Sequence, residues 1–117
     1  MSSTINGIYA AYLSGKIGAG FALLWFKDGQ IGGADASGVI FDGGYTKNGN
    51  NDYQVDLQVK TPANIRLLQG GLSGPEGISY NLNFELPTNF YLSDFVRIET
   101  PPGPINAKFL KIRSIND

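Results

Sequence analysis

The alternating segment Asp52–Lys60 constrains the fold of this chain more than any other part of the sequence. Polar side chains occupy its even-numbered positions, and apolar ones occupy the positions between them: Tyr53, Val55, Leu57 and Val59. Successive side chains of a β-strand point to opposite faces of a sheet. The segment is therefore predicted to be a strand with one face toward water and the other toward a core. A similar pattern in Ser79–Leu86 predicts a second strand of the same kind.

Short apolar runs recur along the chain with turn residues between them. The runs predicted to be strands are 5–13, 17–26, 30–34, 38–46, 53–60, 78–86, 95–100 and 105–112. Asp28-Gly29 and Asn48-Gly49 lie between such runs, and both dipeptides favour a hairpin because glycine accepts a positive φ. Seven or eight short strands with tight turns predict an all-β antiparallel fold, either an up-and-down barrel or a small sandwich. The length of 117 residues fits a single domain over 1–117.

The segment 62–69 has two interpretations. In the first, Thr61 is the N-cap of a short helix, Pro62 is its first residue, and Gly70-Gly71 is its stop signal. In the second, three residues alternate as in a short strand: Ile65, Leu67 and Gln69. The period of a short apolar run does not decide between helix and strand, so both interpretations stay open.

The predicted strand 17–26 is apolar on both faces. Phe21, Leu23 and Trp25 point one way, and the residues that point the other way are Ala22, Leu24 and Phe26. The outer face of a single-layer barrel meets water, so an apolar outer face needs a cover. Since exposed apolar patches usually mark interfaces, we expect a homodimer with Trp25, Phe26 and Ile40 in its interface. A sandwich or a covering loop is the alternative.

The composition argues against several classes of function. The chain has no cysteine and no histidine, which removes thiolate chemistry, the commonest general base and the commonest zinc ligand. Nothing in the sequence brings carboxylates such as Asp35 and Asp42 into one pocket, so we expect neither an enzyme nor a metal or other cofactor. The net charge is -1, and a protein that binds nucleic acid directly usually has a marked basic face.

The sequence also predicts where the protein resides. Its longest apolar run, 19–26, is shorter than the roughly 20 residues that a membrane-spanning helix needs. The first residues do not have the order of a signal peptide. We therefore expect a soluble cytoplasmic protein without a membrane span.

The interior of a barrel of this size is either filled or hollow. Seven Phe and six Tyr residues supply the bulk for a filled core. Eight-stranded barrels, however, lie near the boundary between a filled interior and a ligand cavity. For a cavity that takes a small apolar molecule or a lipid, the predicted lining residues are Tyr9, Phe41, Val55, Leu57, Tyr80, Leu82 and Phe84.

The first half of the chain, about residues 5–60, resembles the GrlR-like family, small negative regulators associated with type III secretion. Four motifs carry the resemblance: Asn6-Gly7-Ile8-Tyr9, Gly18-Ala19-Gly20, Lys27-Asp28-Gly29-Gln30-Ile31-Gly32-Gly33-Ala34-Asp35 and Phe41-Asp42-Gly43-Gly44-Tyr45. The resemblance implies a dimeric, lipocalin-like (calycin-like) barrel of eight strands without catalytic activity. It also implies that the protein binds a transcriptional activator and holds it inactive.

The resemblance places the partner contact in the loop after the fourth strand. The matching residues are Lys47, Asn48, Gly49, Asn50, Asn51 and Asp52. The loop of the characterised regulator is acidic, whereas this loop carries one acidic residue and one lysine. The leading hypothesis is a non-enzymatic regulator that sequesters a protein partner, and the alternative is a binder of a small apolar ligand.

Overall fold

The computed structural model of the protein describes residues 5–115, and these form eight antiparallel strands. The strands are β1 (Gly7–Ser14), β2 (Ala19–Lys27), β3 (Gln30–Asp35), β4 (Ile40–Lys47), β5 (Tyr53–Thr61), β6 (Ile78–Leu86), β7 (Val96–Ile98) and β8 (Ile105–Ser114). They belong to one sheet with the order β6-β5-β4-β3-β2-β1-β8-β7. The sheet curves into a nearly closed barrel, which confirms the predicted all-β up-and-down barrel of eight strands. The two-sheet sandwich is therefore excluded.

Strand β5 shows how the sequence pattern becomes the barrel wall. Its inward side chains are all buried: Tyr53, Val55, Leu57, Val59 and Thr61. The polar side chains between them lie on the outer surface, as the alternation predicts. The register with β6 places Val59 opposite Tyr80 and Leu57 opposite Leu82, so inward residues of the two strands meet in pairs.

Antiparallel order gathers the loops at two opposite ends of the barrel. The upper end carries the loops 15–18, 36–39, 62–77 and 99–104. The lower end carries the turns 28–29 and 48–52, the segment 87–95, and the chain just before β1. The two ends differ in how their interior is filled.

Aromatic rings fill the lower end. Phe90 belongs to the short 3-10 helix Phe90–Leu92 and is fully buried. Its ring centroid lies 5.1 Å from that of Phe109, 5.4 Å from that of Tyr9 and 5.7 Å from that of Phe26. Edge-to-face and offset contacts at such distances are favourable. The 3-10 helix thus acts as a plug that closes the lower end.

Polar contacts tie the chain start to the same end of the barrel. The Asn6 side-chain oxygen accepts hydrogen bonds from the Asp28 backbone N–H at 3.0 Å and from the Tyr45 hydroxyl at 3.2 Å. The Tyr9 hydroxyl donates to the Ile5 carbonyl oxygen at 2.8 Å. Burial raises the pKa of Tyr9 well above its ordinary value, so this hydroxyl stays a neutral donor. These hydrogen bonds give partners to the tyrosine hydroxyls and the asparagine amide that are buried beside the aromatic rings.

The segment 62–69 is a loop, so the predicted short helix is wrong. Asn64 adopts a φ of 58°, which ends regular structure at that position. The backbone then folds back on itself: Asn64 N–H donates to the Gly74 oxygen at 2.8 Å, and Leu67 N–H donates to the Gly71 oxygen at 3.0 Å. The alternative of a strand survives only as a single bridge between Arg66 and Leu72. The described part of the chain holds no helix with the length and apolar character that a bilayer crossing requires.

Candidate ligand site

A cavity of about 300 Å³ lies inside the upper end of the barrel. Three neighbouring strands supply one row of its wall, because Phe41 pairs with Val59 and Val59 pairs with Tyr80. These inward positions follow from the alternation within β4, β5 and β6. Further apolar lining comes from three residues on other elements: Leu13, Val39 and Ile105. We call this space the upper cavity.

The residues Ile65–Gln69 cover the upper cavity, and we call them the lid. All five lid residues line the cavity. The Leu68 carbonyl oxygen accepts a hydrogen bond from the Ile17 backbone N–H at 3.1 Å, which joins the lid to the loop after β1. A Cβ atom at position 15 would overlap with that carbonyl group, so Gly15 is what allows the two backbones to approach. The lid is thus held against the barrel mouth rather than lying free above it.

Gln69 forms a polar cluster on one side of the cavity. Its Nε2 donates to the Thr100 hydroxyl oxygen at 3.1 Å and to the Tyr80 hydroxyl oxygen at 3.4 Å. The Thr100 hydroxyl donates in turn to the Gly103 carbonyl oxygen. Burial raises the pKa of Tyr80, and the hydrogen bond from Gln69 opposes part of that rise. The cluster is therefore neutral at physiological pH and joins the lid, β6 and the loop before β8.

Charged groups stand at the rim of the cavity. Among the lining residues, only Asp35 and Arg66 carry a formal charge at neutral pH, and Arg66 is exposed to solvent. The Asp35 carboxylate accepts the backbone N–H groups of Ser37 at 2.8 Å and Val39 at 3.0 Å. This Asx-type turn shapes the loop that carries Val39 into the cavity wall. Asp35 thus has a structural role at the rim.

Of the residues predicted to line a cavity, Phe41 and Tyr80 line the upper cavity. The others pack elsewhere in the core or against it: Tyr9, Val55, Leu57, Leu82 and Phe84. Alternation identifies an inward side chain but not its height along the barrel, and these five lie below the cavity or nearer the lower end. The lid and Val59 also line the cavity but were not predicted from the sequence. Val59 could have been predicted, because it has the same place in the alternation as Val55 and Leu57.

An apolar surface covers the outside of the barrel around β2. Its residues, each between 41 % and 52 % exposed, are Tyr12, Phe21, Leu23, Trp25, Ile40 and Leu110. The strand register sets Leu110, Leu23 and Ile40 along one row, with Ala10 and Ala34 between them. We call this surface the apolar outer face. By contrast, the outward positions of β5 and β6 are polar.

The predicted dimer residues divide between the two faces of the wall. Trp25 and Ile40 point outward and belong to the apolar outer face. Phe26 is only 2 % exposed and packs inside the barrel, so its placement in an interface is wrong. The physical reason is the period of two: Phe26 shares the inner face with Ala22 and Leu24, which are also buried.

The loop predicted to contact a partner is an ordered turn at the lower end. The Asn48 side-chain oxygen accepts the backbone N–H groups of Asn50 at 2.9 Å and Asp52 at 3.2 Å. Thr88, in the segment after β6, also stabilises the turn, because its hydroxyl donates to the Asn51 carbonyl oxygen at 2.7 Å. Lys47, Gly49 and Asn50 are solvent-exposed. The loop therefore has a defined shape and lies at the opposite end from the upper cavity.

Some glycines of the motifs behind the family resemblance lie where two strands approach each other closely. Gly43 sits opposite Leu57, and a Cβ atom there would overlap with the Asp56 carbonyl oxygen. A Cβ atom at Gly32 would collide with the indole ring of Trp25. Comparison of the chain with protein-family models, curated proteins and solved structures finds no match, so the GrlR-like assignment stays a prediction from these motifs.

Proposed function

We propose that the protein binds a small, mainly apolar ligand in the upper cavity and has no catalytic activity. The observation behind this proposal is the unequal filling of the barrel. Aromatic rings close the lower end, whereas the upper end holds a partly open cavity of about 300 Å³ between apolar walls and the lid. Apolar pockets with a few convergent polar groups are the usual form of small-molecule sites.

The volume of the upper cavity limits the size of the ligand. A cavity of about 150 Å³ in a protein core holds benzene, which has six carbon atoms. By proportion, the upper cavity of about 300 Å³ accommodates a molecule of about a dozen non-hydrogen atoms. This size corresponds to a short-chain or single-ring compound rather than to a membrane lipid with two long chains.

The first test fills the upper cavity with a larger side chain of the protein itself. Val39→Trp directs an indole into the upper cavity, and the neighbouring Ile40→Trp adds the same ring to the outer surface. We expect wild type and Ile40→Trp to bind butylbenzene, with shifts of the Val59 and Tyr80 amide resonances in an NMR titration. Val39→Trp is expected to show neither binding nor these shifts, because the indole occupies the space of the ligand.

Thermal unfolding of both tryptophan variants provides the control for folding. The ligand proposal would be contradicted by wild-type protein that shows no shift at saturating butylbenzene. It would also be contradicted if Val39→Trp, folded as judged by its melting transition, bound the probe as well as Ile40→Trp does.

A second proposal is regulation by sequestering a protein partner, such as a transcriptional activator of secretion genes, by a cytoplasmic dimer. Two observations favour it: the apolar outer face and the preordered loop Lys47–Asp52. Exposed apolar surface of this extent is typical of interfaces. The two functions use different surfaces, which meet at Phe21 at the upper end of β2, so one molecule can perform both.

The apolar outer face should control the oligomeric state. We expect Leu23→Arg with Trp25→Arg to convert a dimer into a monomer, because burying two unpaired cations in an interface is costly. The control is Gln54→Arg with Gln58→Arg on the polar outer side of β5, which should leave the dimer intact. Light scattering after size-exclusion chromatography measures the mass, and a monomeric wild type would refute the dimer.

The loop Lys47–Asp52 should control recognition of the partner. Lys47→Glu with Asn50→Asp changes two exposed side chains and leaves the Asn48 hydrogen bonds in place. We expect a protein that co-purifies with wild type to be lost with this variant, because the loop changes from a balanced charge to three negative charges. The charge-matched control is Lys16→Glu with Arg66→Gln at the upper end, since both pairs of changes make the protein more negative by three charges. Equal recovery with all three proteins would argue against the loop as the contact.

A further inference from the structure

The polar groups inside the upper cavity are neutral. Gln69 and Tyr80 face the cavity from the lid and from β6, and burial keeps the Tyr80 hydroxyl protonated. The charged lining residues do not supply an interior counter-ion. Arg66 is exposed, and the Asp35 carboxylate is engaged by two backbone N–H groups at the rim. An ionic head group would therefore lose its hydration without gaining a buried partner, which is unfavourable.

Gln69 and Tyr80 each keep one hydrogen-bonding group that can bind a ligand. The amide nitrogen of Gln69 uses its two hydrogens on Thr100 and Tyr80. Within residues 5–115, no group donates a hydrogen bond to the Gln69 Oε1. In the same part of the chain, the Tyr80 hydroxyl accepts a hydrogen bond from Gln69 but donates none. An acceptor and a donor thus remain side by side, because the Nε2 and the Tyr80 hydroxyl oxygen are 3.4 Å apart.

We propose that Gln69 and Tyr80 recognise a neutral head group that both donates and accepts a hydrogen bond, such as a primary alcohol or a primary amide. The head group donates to Gln69 Oε1 and accepts from the Tyr80 hydroxyl, and the apolar body lies along Phe41, Val59 and Ile105. Because Gln69 belongs to the lid, the same contact adds to the bonds that hold the lid over the ligand. This inference rests on the ligand-binding function proposed above.

A phenylbutyl series tests the head-group preference with a constant apolar body. The probes are butylbenzene, 4-phenylbutan-1-ol, 4-phenylbutanamide, 4-phenylbutanoate and 4-phenylbutylamine, each titrated into the labelled protein at neutral pH. We expect the alcohol and the amide to bind roughly threefold to thirtyfold more tightly than butylbenzene, as one or two net hydrogen bonds provide. The carboxylate and the ammonium compound are expected to bind more weakly than the alcohol.

Tyr80→Phe separates recognition from packing, because it removes one hydroxyl and keeps the ring. We expect this variant to weaken binding of the alcohol by roughly threefold to tenfold, the effect of one net hydrogen bond, and to bind butylbenzene as wild type does. Gln69→Leu should act in the same direction. Tightest binding of the carboxylate, or an equal loss of alcohol and butylbenzene in Tyr80→Phe, would overturn the head-group assignment. Failure of wild type to bind any probe would overturn the ligand function itself.

Discussion

Replacing Phe90 by alanine is expected to lower the free energy of unfolding by about 3–5 kcal/mol. The ring is fully buried and touches four other rings, those of Tyr9, Phe26, Tyr91 and Phe109. Truncation removes these contacts and leaves a cavity that the rigid barrel wall cannot close. A domain of this size has a total stability of about 5–15 kcal/mol, so the change removes a large share of it.

Leu92→Ala is the matched control for Phe90→Ala. Leu92 lies in the same 3-10 helix but is 73 % exposed, so its truncation should change stability by no more than about 0.5 kcal/mol. Urea unfolding followed by circular dichroism gives both values. Equal midpoints for Phe90→Ala and Leu92→Ala would show that the helix does not close the lower end.

Gly43→Ala is expected to destabilise the fold by about 3 kcal/mol or more. The added Cβ would overlap with the Asp56 backbone oxygen and would lie 2.9 Å from the Leu57 Cα. Both atoms belong to the backbone of β5, so no side-chain rotation relieves the clash. The strands β4 and β5 must separate locally, which weakens the ladder that positions Phe41 and Val59 in the cavity wall.

Gly49→Ala tests whether the effect at position 43 comes from the close approach of strands. No heavy atom lies within 4 Å of a Cβ at position 49, and the backbone there does not have a positive φ. We expect a change of no more than about 0.5 kcal/mol. Similar losses for both variants in chemical denaturation would mean that strand packing is not the reason for glycine at position 43.

The wall of the barrel was predictable from the sequence because each strand carries its own pattern. In β5 the alternation identifies every buried residue from Tyr53 to Val59. The Asp28-Gly29 turn also follows from local preference, since both residues adopt a positive φ in the structure. Such features depend on near neighbours in the chain, so the sequence alone is sufficient to predict them.

The predictions failed where a residue's environment depends on distant parts of the chain. The helix signals around 62–69 were outweighed by contacts with Ile17, Gly74 and Thr100, which hold the segment as a lid. The inward direction of Tyr9 was evident in the pattern, but only the plug residue Phe90 makes its end of the barrel solid. Phe26 is the exception, because its alternation with Trp25 was a local signal that already placed it inside the barrel.

Local side-chain alternation and turn chemistry determined by themselves that this chain is all-β and that its strands have one apolar inner face. The tertiary structure alone decided which end of the barrel is filled, which end keeps a cavity, and that Gln69 meets Tyr80 beneath the lid. The physical reason is how far apart in sequence the interacting residues are. The alternation is a property of consecutive residues, whereas the plug and the lid exist only after strands far apart in sequence have closed around the same space.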